Sequence, residues 1–372
     1  MAKTEKPKLY KPASFWMNVR NASLTALDFT RAAQRQRWIQ LLSQLSWEEK
    51  DWDRLALALF QYHAHHCPPY RRLVSLLGTQ PVSWRDIPAL PQAIFKETPV
   101  FCGDPSAAKV MFETSGTTRG SPGIHRMRSI DLYRWSAQEG AKRAGLPYAT
   151  AELHFLTPSP RKAPHSSLVR MFSFWGSRRY FWIDHGTLQV GAFRKALDQA
   201  CARTRPVGIC GPALAFVFLL ENWPRGWNPN LSPGSFLLQT GGLKGRRTTL
   251  SKEILYGELA RAFGLPDDNI WDEYGMTELS SQAYARGLRE SHRTPPWARV
   301  LVIDPASGKE VPVGHRGWVR WFDLANVDSV LAVDTEDEAI RTQEGFRLLG
   351  RHPEARIMRG CSLLVDELRS SL

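Results

Sequence analysis

Apolar residues recur three and four positions apart between Leu24 and Leu59, and this spacing is typical of amphipathic helices. The periodicity stops at Pro68-Pro69, which we expect to end the second helix, because proline cannot continue the backbone hydrogen bonds. The segment from Asp86 to Pro91 carries two prolines and is typical of an extended linker. The first part of the chain is therefore predicted to be helical.

From Val110 onward, short apolar segments alternate with loops and helical segments. We predict strands at Val110–Phe112, His154–Thr157, Val207–Cys210, Ser235–Gln239, Asn269–Trp271 and Ala298–Ile303. Strands that alternate with helices indicate an α/β domain with a mostly parallel sheet. Residues 317–349 have more strand character and predict a smaller β-rich subdomain. We expect a helical segment at 1–90, the α/β domain at 91–350 and a short C-terminal hinge and tail at 351–372.

The composition is that of a soluble globular protein, with 43% hydrophobic and 23% charged residues among 372. The formal net charge of +13 permits nucleic acid, an anionic membrane, a phosphorylated substrate or an acidic protein as partner, but a solvated basic surface explains it equally well. No dense run of lysine and arginine occurs, so we predict no nucleic-acid partner. The longest apolar run, Ala213–Leu220, is too short to cross a bilayer.

Cysteine usage argues against a disulfide scaffold and a structural zinc site, because no CxxC pair occurs. The cysteines are Cys67, Cys102, Cys201, Cys210 and Cys361. Together with the lack of an apolar signal segment in Met1–Trp16, this predicts a cytoplasmic protein. Near the first cysteine, His63, His65 and His66 point in different directions on a helix, so a surface helix end is favoured over a metal site.

The first chemical motif is the loop Glu-Thr-Ser-Gly-Thr-Thr-Arg-Gly at 113–120, directly after the predicted strand Val110–Phe112. Its glycines let the backbone bend around an anion. Its hydroxyls and successive N–H groups suit a triphosphate. The hydroxyl residues are Thr114, Ser115, Thr117 and Thr118. The loop lacks the Gly-Lys-Ser/Thr of a P-loop, and taken alone it is also compatible with an ordinary surface loop.

The second motif is Trp-Asp-Glu-Tyr-Gly-Met-Thr-Glu at 271–278, which follows another predicted strand. Tyr274 offers an aromatic face for a base, Gly275 a tight turn, Thr277 a hydroxyl for a phosphate and Glu278 a carboxylate for magnesium. By itself the segment is equally compatible with a strand-ending turn that carries a solvated carboxylate.

The third motif combines Thr335-Glu-Asp337 with Phe-Arg-Leu-Leu-Gly-Arg at 346–351. Asp337 could bond ribose hydroxyls, and Arg351 could pair with a phosphate. Each residue alone is more often a surface charge, but the order and spacing of the three motifs favour a nucleotide site.

Together, these motifs resemble the core motifs of the adenylate-forming superfamily, which includes acyl-CoA synthetases, luciferases and peptide-synthetase adenylation domains. Within it, the chain resembles most the acyl-protein synthetases of bacterial bioluminescence operons, and next the phenylacetate-CoA ligases. The segments that favour the first group are Pro91–Lys96, Thr240–Lys244, Thr294–Arg299 and Arg359–Leu363. The similarity spans roughly Pro68 to Leu363.

The resemblance implies that the cofactors are ATP and Mg²⁺. The residues it assigns to nucleotide binding are Thr114, Ser115, Gly116, Thr117, Thr118, Gly241, Gly242, Tyr274, Asp337 and Arg351. Thr277 would bond the α-phosphate, and Glu278 would bind the metal. Gly241 and Gly242 would also line the acyl pocket.

Two departures from the family pattern concern positive charge. Many relatives carry a lysine after the phosphate loop, where this chain offers Arg119 or Arg126. Larger relatives also have a C-terminal domain with a catalytic lysine, which we expect to be absent because the chain ends 21 residues after Arg351. Lys244, Arg351 or a partner protein would then supply the charge, and the sequence leaves this choice open.

Cys361 lies in Arg-Ile-Met-Arg-Gly-Cys-Ser-Leu at 356–363, where two arginines favour its nucleophilic thiolate. A free cysteine is more commonly a small buried apolar residue. In the bioluminescence family, however, the matching cysteine accepts the acyl group and passes it to a reductase.

The expected function is thus ATP-dependent activation of a carboxylic acid, expected to be a fatty acid, to acyl-AMP. The acyl group would then pass to Cys361 and on to an acyl-accepting protein, a reductase or a carrier. Two alternatives stay open at this point. The chain could be a short acyl-CoA or aryl-CoA ligase, or a non-catalytic basic binding protein on the same fold.

Overall fold

The computed structural model describes residues 27–45, 47–114, 121–241 and 251–351. The helices are α1 (Ala32–Gln44), α2 (Glu49–His66), α3 (Pro68–Leu77), α4 (Ile94–Glu97), α5 (Asp131–Ala144), α6 (Ser167–Phe172), α7 (Val190–Ala202), α8 (Ala213–Glu221) and α9 (Lys252–Phe263). The strands are β1 (Leu90–Pro91), β2 (Val110–Glu113), β3 (Ile124–Met127), β4 (Glu152–Phe155), β5 (Arg179–Phe181), β6 (Ile183–Asp184), β7 (Thr187–Leu188), β8 (Val207–Pro212), β9 (Phe236–Thr240), β10 (Ile270–Tyr274), β11 (Ala283–Arg286), β12 (Ala298–Ile303), β13 (Arg316–Asp323), β14 (Ala332–Arg341) and β15 (Phe346–Arg351).

The larger sheet has the strand order β11-β10-β9-β8-β4-β5. Its neighbouring pairs are parallel from β5 to β10, and β11 runs antiparallel at one edge. One face is covered by Phe193, Phe216 and Leu259 from α7, α8 and α9. The other face is covered by Tyr133 and Phe172 from α5 and α6. The predicted α/β domain with a mostly parallel sheet is confirmed.

The smaller sheet has the order β1-β14-β13-β12, with β15 paired to β14. Its long strands are antiparallel, whereas β1 joins β14 in parallel. Trp38 and Trp52, on α1 and α2, belong to the same hydrophobic core as Trp321 on β13. The helices before residue 91 therefore share a core with the β-rich part, and the predicted segment boundaries stay a prediction.

Most predicted strands lie within one or two residues of their expected positions. The strand expected at His154–Thr157 is found at Glu152–Phe155, where all four residues are buried. The linker expected at Asp86–Pro91 ends as β1, because Leu90 pairs with Val333 of a strand far along the chain. Pro68-Pro69 follows the end of α2 as predicted and also begins α3, where the N–H that proline lacks has no helical partner anyway.

The apolar run Ala213–Leu220 forms most of α8, with Phe216 and Leu219 fully buried. Among the described residues, no helix combines the length and apolar character that crossing a membrane requires.

The histidine cluster at the end of α2 divides into two environments. His63 is fully buried, and its Nδ1 accepts a hydrogen bond from the Leu331 N–H at 3.1 Å, while its Nε2 lies 3.3 Å from the Val327 carbonyl. His65 and His66 are exposed. The expectation of a surface helix end is therefore wrong for His63, which is a buried structural histidine. Within the described ranges, no group of three or more histidine, cysteine or acidic residues could hold a metal ion.

Candidate active site

Three of the predicted nucleotide-binding residues meet where β10, β14 and β15 come together. The Tyr274 hydroxyl donates a hydrogen bond to Oδ2 of Asp337 at 2.9 Å, and both residues are buried. Asp337 pairs with Arg351 across the β14–β15 ladder, and the Nε of Arg351 lies 3.6 Å from Oδ1 of Asp337. An aromatic ring, a carboxylate and a guanidinium from distant motifs are thus in contact.

Gln92 links this group to Glu278, although sequence reasoning did not single it out. Its backbone N–H binds the Asp334 carbonyl at 3.0 Å, directly after β1. Its side-chain amide donates to Oε1 of Glu278 at 3.1 Å, and its Oε1 accepts from Nη2 of Arg351 at 3.0 Å. The available signal was that Gln92 lies in the family-like segment Pro91–Lys96.

Glu278 is almost completely buried at 1% exposure. Burial raises the pKa of its carboxyl, whereas the hydrogen bond from Gln92 and the charges of Arg351 and Lys96 oppose this rise. Its backbone carbonyl accepts from Nδ2 of Asn326 at 3.0 Å. Mg²⁺ is commonly held by one or two carboxylates together with substrate phosphates, so a single buried carboxylate fits the predicted metal role.

The base of the predicted phosphate loop lies against this carboxylate. The Thr114 N–H donates to the Gly123 carbonyl, and the Gly123 N–H donates to the Thr114 hydroxyl, each at 2.9 Å. A Cβ on Gly123 would lie 3.3 Å from Thr114, 3.4 Å from Lys96 and 3.5 Å from Oε1 of Glu278. The Thr114 hydroxyl therefore closes the loop by accepting a backbone N–H.

Lys96 is a cation that sequence reasoning missed. It is exposed on α4, next to Gly123, and its charge acts on both Glu278 and Glu336. Among the cations considered from sequence, Arg126 lies on β3 opposite Met111, and Arg351 lies in the site. Arg119 and Lys244 lie outside the described residues. The structure thus adds Lys96 to the candidates for a charge beside the phosphates.

The ends of β9 and β10 carry a second pair of polar side chains. Thr240 lies opposite Glu273 in the parallel register, and its hydroxyl donates to the Glu273 carboxyl. Burial raises the pKa of Glu273 to about 7. A Cβ on Gly275 would lie only 2.5 Å from Oε1 of Glu273, so a larger residue at this position would require the Glu273 carboxyl to move. Gly241 follows with a φ of 71°, a left-handed conformation that favours glycine.

These residues lie at the carboxyl edge of the parallel strands, where open α/β sheets bind their ligands. Thr240 and Tyr274 end β9 and β10 at this edge. Gln92, Asp337 and Arg351 approach from the smaller sheet. The described site therefore lies between the two sheets, with Asp337, Arg351 and Glu278 on one continuous path of contacts through Gln92.

Several predicted site residues lie outside the described residues. They are Ser115, Gly116, Thr117, Thr118, Gly242, Lys244 and Cys361. Among the cysteines of the described ranges, Cys67, Cys102 and Cys210 are buried and Cys201 is partly exposed. Burial raises the thiol pKa of Cys102, Cys201 and Cys210, which disfavours the nucleophilic thiolate at all three.

Comparison with known proteins finds similarity to a curated ligase and to solved ligase structures. The long-chain-fatty-acid–luciferin-component ligase of Vibrio harveyi is 24% identical over 338 residues, which cover 84% of this chain and 87% of that protein. No protein-family model matches the chain. A crystal structure of 2-hydroxyisobutyryl-CoA ligase in the postadenylation state with 2-HIB-AMP matches with a TM-score of 0.62 and 17% identity, over 82% of this chain and 67% of that one. The chain has the fold of the adenylate-forming ligases.

The same 2-hydroxyisobutyryl-CoA ligase in an open conformation, with 2-HIB-AMP and CoA, matches with a TM-score of 0.60 and 16% identity, over 82% of this chain and 69% of that one. The predicted fold class and the predicted resemblance are confirmed by these matches. All of these relatives are ligases by name, in agreement with the predicted enzyme class of an acid–thiol ligase.

Proposed function

We propose that this protein uses ATP to activate a carboxylic acid as an acyl-adenylate. The observation that carries the proposal is the path of contacts from Tyr274 through Asp337, Arg351 and Gln92 to Glu278. The path joins an aromatic ring, a carboxylate, a guanidinium and a second carboxylate. This order supports our assignment of these groups to the base, the ribose, a phosphate and a metal ion.

In this site, Tyr274 and the Gly241-Gly242 segment would hold the adenine, and Asp337 would accept hydrogen bonds from the ribose. Thr277 would bond the α-phosphate. Glu278 is the protein oxygen ligand that we propose for Mg²⁺, which, when bound, neutralises phosphate charge. The hydroxyl-rich loop at 114–118 would hold the β- and γ-phosphates.

The reaction joins a carboxylate oxygen of the acid to the α-phosphorus of ATP. That bond forms as the bond from the α-phosphorus to the bridging oxygen breaks, and pyrophosphate leaves with the electron pair. Negative charge gathers on the phosphate oxygens, where fixed cations stabilise the transition state. Among the residues that the structure describes, Arg351 and Lys96 are cations whose charge acts on Glu278, so we assign them this role.

For the second step, we propose that the thiolate of Cys361 attacks the acyl carbonyl of the adenylate and AMP leaves, which gives a thioester. The acyl group then passes to a partner protein, a reductase or a carrier. The Vibrio harveyi relative, a ligase of a long-chain fatty acid and a luciferin component, supports a fatty acid as substrate. Similarity to a CoA ligase solved with CoA supports the alternative, in which the thiol of CoA accepts the acyl group.

ATP–pyrophosphate exchange tests the first step directly. We would screen straight-chain acids from acetate to palmitate, aryl acids and 2-hydroxy acids, with and without Mg²⁺. Exchange that requires both one acid class and the metal is the expected result. If the protein binds ATP but none of the acids supports exchange, the proposal is contradicted.

A salt-titrated DNA-binding assay examines the non-catalytic alternative, because binding to the phosphate backbone weakens steeply with salt.

A further inference from the structure

Two buried side chains form hydrogen bonds to the backbone of the turn after β10. The carbonyl of Thr277 lies 2.8 Å from Nδ1 of His125, and the carbonyl of Glu278 accepts from Nδ2 of Asn326 at 3.0 Å. His125 and Asn326 are at most 1% exposed. Two successive peptide groups of the motif that carries Thr277 and Glu278 are therefore fixed by residues outside it.

The partners of His125 determine which ring nitrogen carries the proton. A carbonyl oxygen only accepts hydrogen bonds, so Nδ1 must be protonated to bind Thr277. Nε2 lies 3.1 Å from the Ser329 hydroxyl, which can donate to it. Burial lowers the pKa of His125 to about 4, although the Thr277 carbonyl opposes the shift. The ring is therefore neutral near pH 7, with a proton on Nδ1 alone.

His125 also belongs to the base of the predicted phosphate loop. It lies on β3, opposite Phe112 of β2, and these two strands flank the loop in sequence. One imidazole thus connects the loop base to the turn that carries Thr277 and Glu278. The 326–329 segment supports it from the other side.

We propose that His125 is a positioning residue of the adenylation site. Its Nδ1–H holds the Thr277 carbonyl and so fixes the Thr277 hydroxyl and the Glu278 carboxylate relative to β2 and β3. The inference rests on the proposed function, because it assumes that this turn faces the α-phosphate of ATP.

His154 is the control, because it is an equally buried histidine on β4 of the larger sheet. Its Nδ1 accepts a hydrogen bond from Nε1 of Trp182 at 3.2 Å, and its Nε2 lies 3.5 Å from Oε1 of Glu152. We expect His154→Gln to lower stability without changing the ratio of exchange rates with ATP and with ATPαS, which separates a merely structural role from a positioning role.

The test uses a matched pair of amides at His125. His125→Asn places an amide N–H near the position of Nδ1 and keeps a donor for Thr277, whereas His125→Gln places its amide near Nε2 and loses that donor. We expect an ATP Kd about ten-fold higher for His125→Gln, the scale of one lost hydrogen bond, and a value within about three-fold of wild type for His125→Asn. Equal binding by wild type and His125→Gln overturns the proposal.

A second readout compares exchange rates for ATP and for ATPαS, in which sulfur replaces an α-phosphate oxygen. If Thr277 contacts that oxygen, wild type and His154→Gln are slower with ATPαS than with ATP. In His125→Gln the ratio of the two rates should be closer to one, because the contact is already lost. If His125→Gln instead lowers the exchange rates with ATP and with ATPαS by the same factor, the ratio of the two rates stays that of wild type. That result would mean that the residue is only structural.

The tautomer gives a readout that does not depend on any acid substrate. In protein labelled with ¹⁵N-histidine, the His125 signals, identified by their loss in His125→Asn, should show a protonated Nδ1 and a bare Nε2. A protonated Nε2 overturns the proposal. If the tautomer is correct and His125→Gln weakens ATP binding while no acid supports exchange, the proposed adenylation fails and the positioning role stands. A wild-type protein that binds no ATP overturns both.

Discussion

At the residue scale, the amide of Gln92 is the point where the site contacts converge, since it donates to Glu278 and accepts from Arg351. We predict that Gln92→Leu, which keeps a similar side-chain size, lowers kcat/KM for exchange about ten- to hundred-fold. Hydrogen bonds to charged groups contribute roughly 1.5–3 kcal/mol each. Gln61→Leu, at an exposed glutamine on α2, is the control. Activity within about two-fold of wild type would remove Gln92 from the site.

Glu278 is a buried carboxylate in the position where the proposed function needs a metal ligand. We predict that Glu278→Gln abolishes magnesium-dependent exchange, because an amide is a poor ligand for a hard cation. The temperature of thermal unfolding should stay unchanged, because the amide can keep a hydrogen bond to Gln92. Exchange at several Mg²⁺ concentrations measures this. Undiminished exchange at low Mg²⁺ in the variant would show that another group binds the metal.

Cys361 decides between the two acceptors proposed for the acyl group. We predict that Cys361→Ser still catalyses exchange but accumulates no hydroxylamine-labile acyl-enzyme, because an alcohol without a base is a far weaker nucleophile than a thiolate. Labelled acid and ATP, followed by a denaturing gel, give the answer.

Cys201→Ser is the matched control for this labelling, because Cys201 is the partly exposed cysteine of the described ranges. It should label like wild type. A wild-type enzyme that never labels, yet forms acyl-CoA when CoA is added, would support the CoA ligase alternative.

At the element scale, the turn after β10 begins at Gly275, where a side chain would contact buried neighbours. A Cβ there would lie 2.5 Å from Oε1 of Glu273 and 3.1 Å from Cγ of Gln282. We predict that Gly275→Ala displaces the Glu273 carboxyl and lowers the free energy of unfolding by about 1–3 kcal/mol, with a loss of exchange activity. Urea unfolding measures the first effect.

Gly257 provides the matched control for this substitution, because a Cβ at this position on α9 meets no atom within 4 Å. Gly257→Ala should leave the free energy of unfolding unchanged or raise it by up to about 1 kcal/mol, the helix preference for alanine over glycine. A Gly275→Ala variant as stable and active as Gly257→Ala would contradict the close contact with Glu273.

At the scale of the whole molecule, buried neutral histidines connect stability to pH. Burial lowers the pKa of His63 to about 3 and that of His154 to about 4, from an ordinary value of 6.5. The unfolded chain therefore binds protons below about pH 6.5 that the folded chain does not bind. The stability contributed by each ring is complete above that pH and falls as the pH drops toward 4.

Between about pH 7.5 and about pH 5, the free energy of unfolding should decrease less in His63→Gln than in wild type. We predict a difference of roughly 2 kcal/mol between the two decreases. Buried carboxyls with a raised pKa, such as Glu273 and Asp323, act in the opposite direction, so the comparison between variants isolates the histidine. His315→Gln, at an exposed site, should follow the wild-type curve. If the free energy of unfolding changes with pH in the same way in wild type and in His63→Gln, the assignment is wrong.

The sequence by itself determined the elements whose signal is local. The segment Ala298–Ile303 is mostly apolar and rich in β-branched residues, and it forms a strand at those positions. The motifs at 113–120, 271–278 and 346–351 also carried the family resemblance, because each depends on residue types at short, fixed spacing.

Only the tertiary structure decided contacts between residues far apart in the chain. Gln92 meets Glu278 186 positions away, and β1 exists because Leu90 pairs with Val333. His125 meets Thr277 152 positions away, so its tautomer follows from a partner that no local pattern indicates. His63 looked like part of a surface helix end and is buried, because the turn at 327–331 covers it. Periodicity reports which face of an element is apolar, whereas packing decides what that face meets.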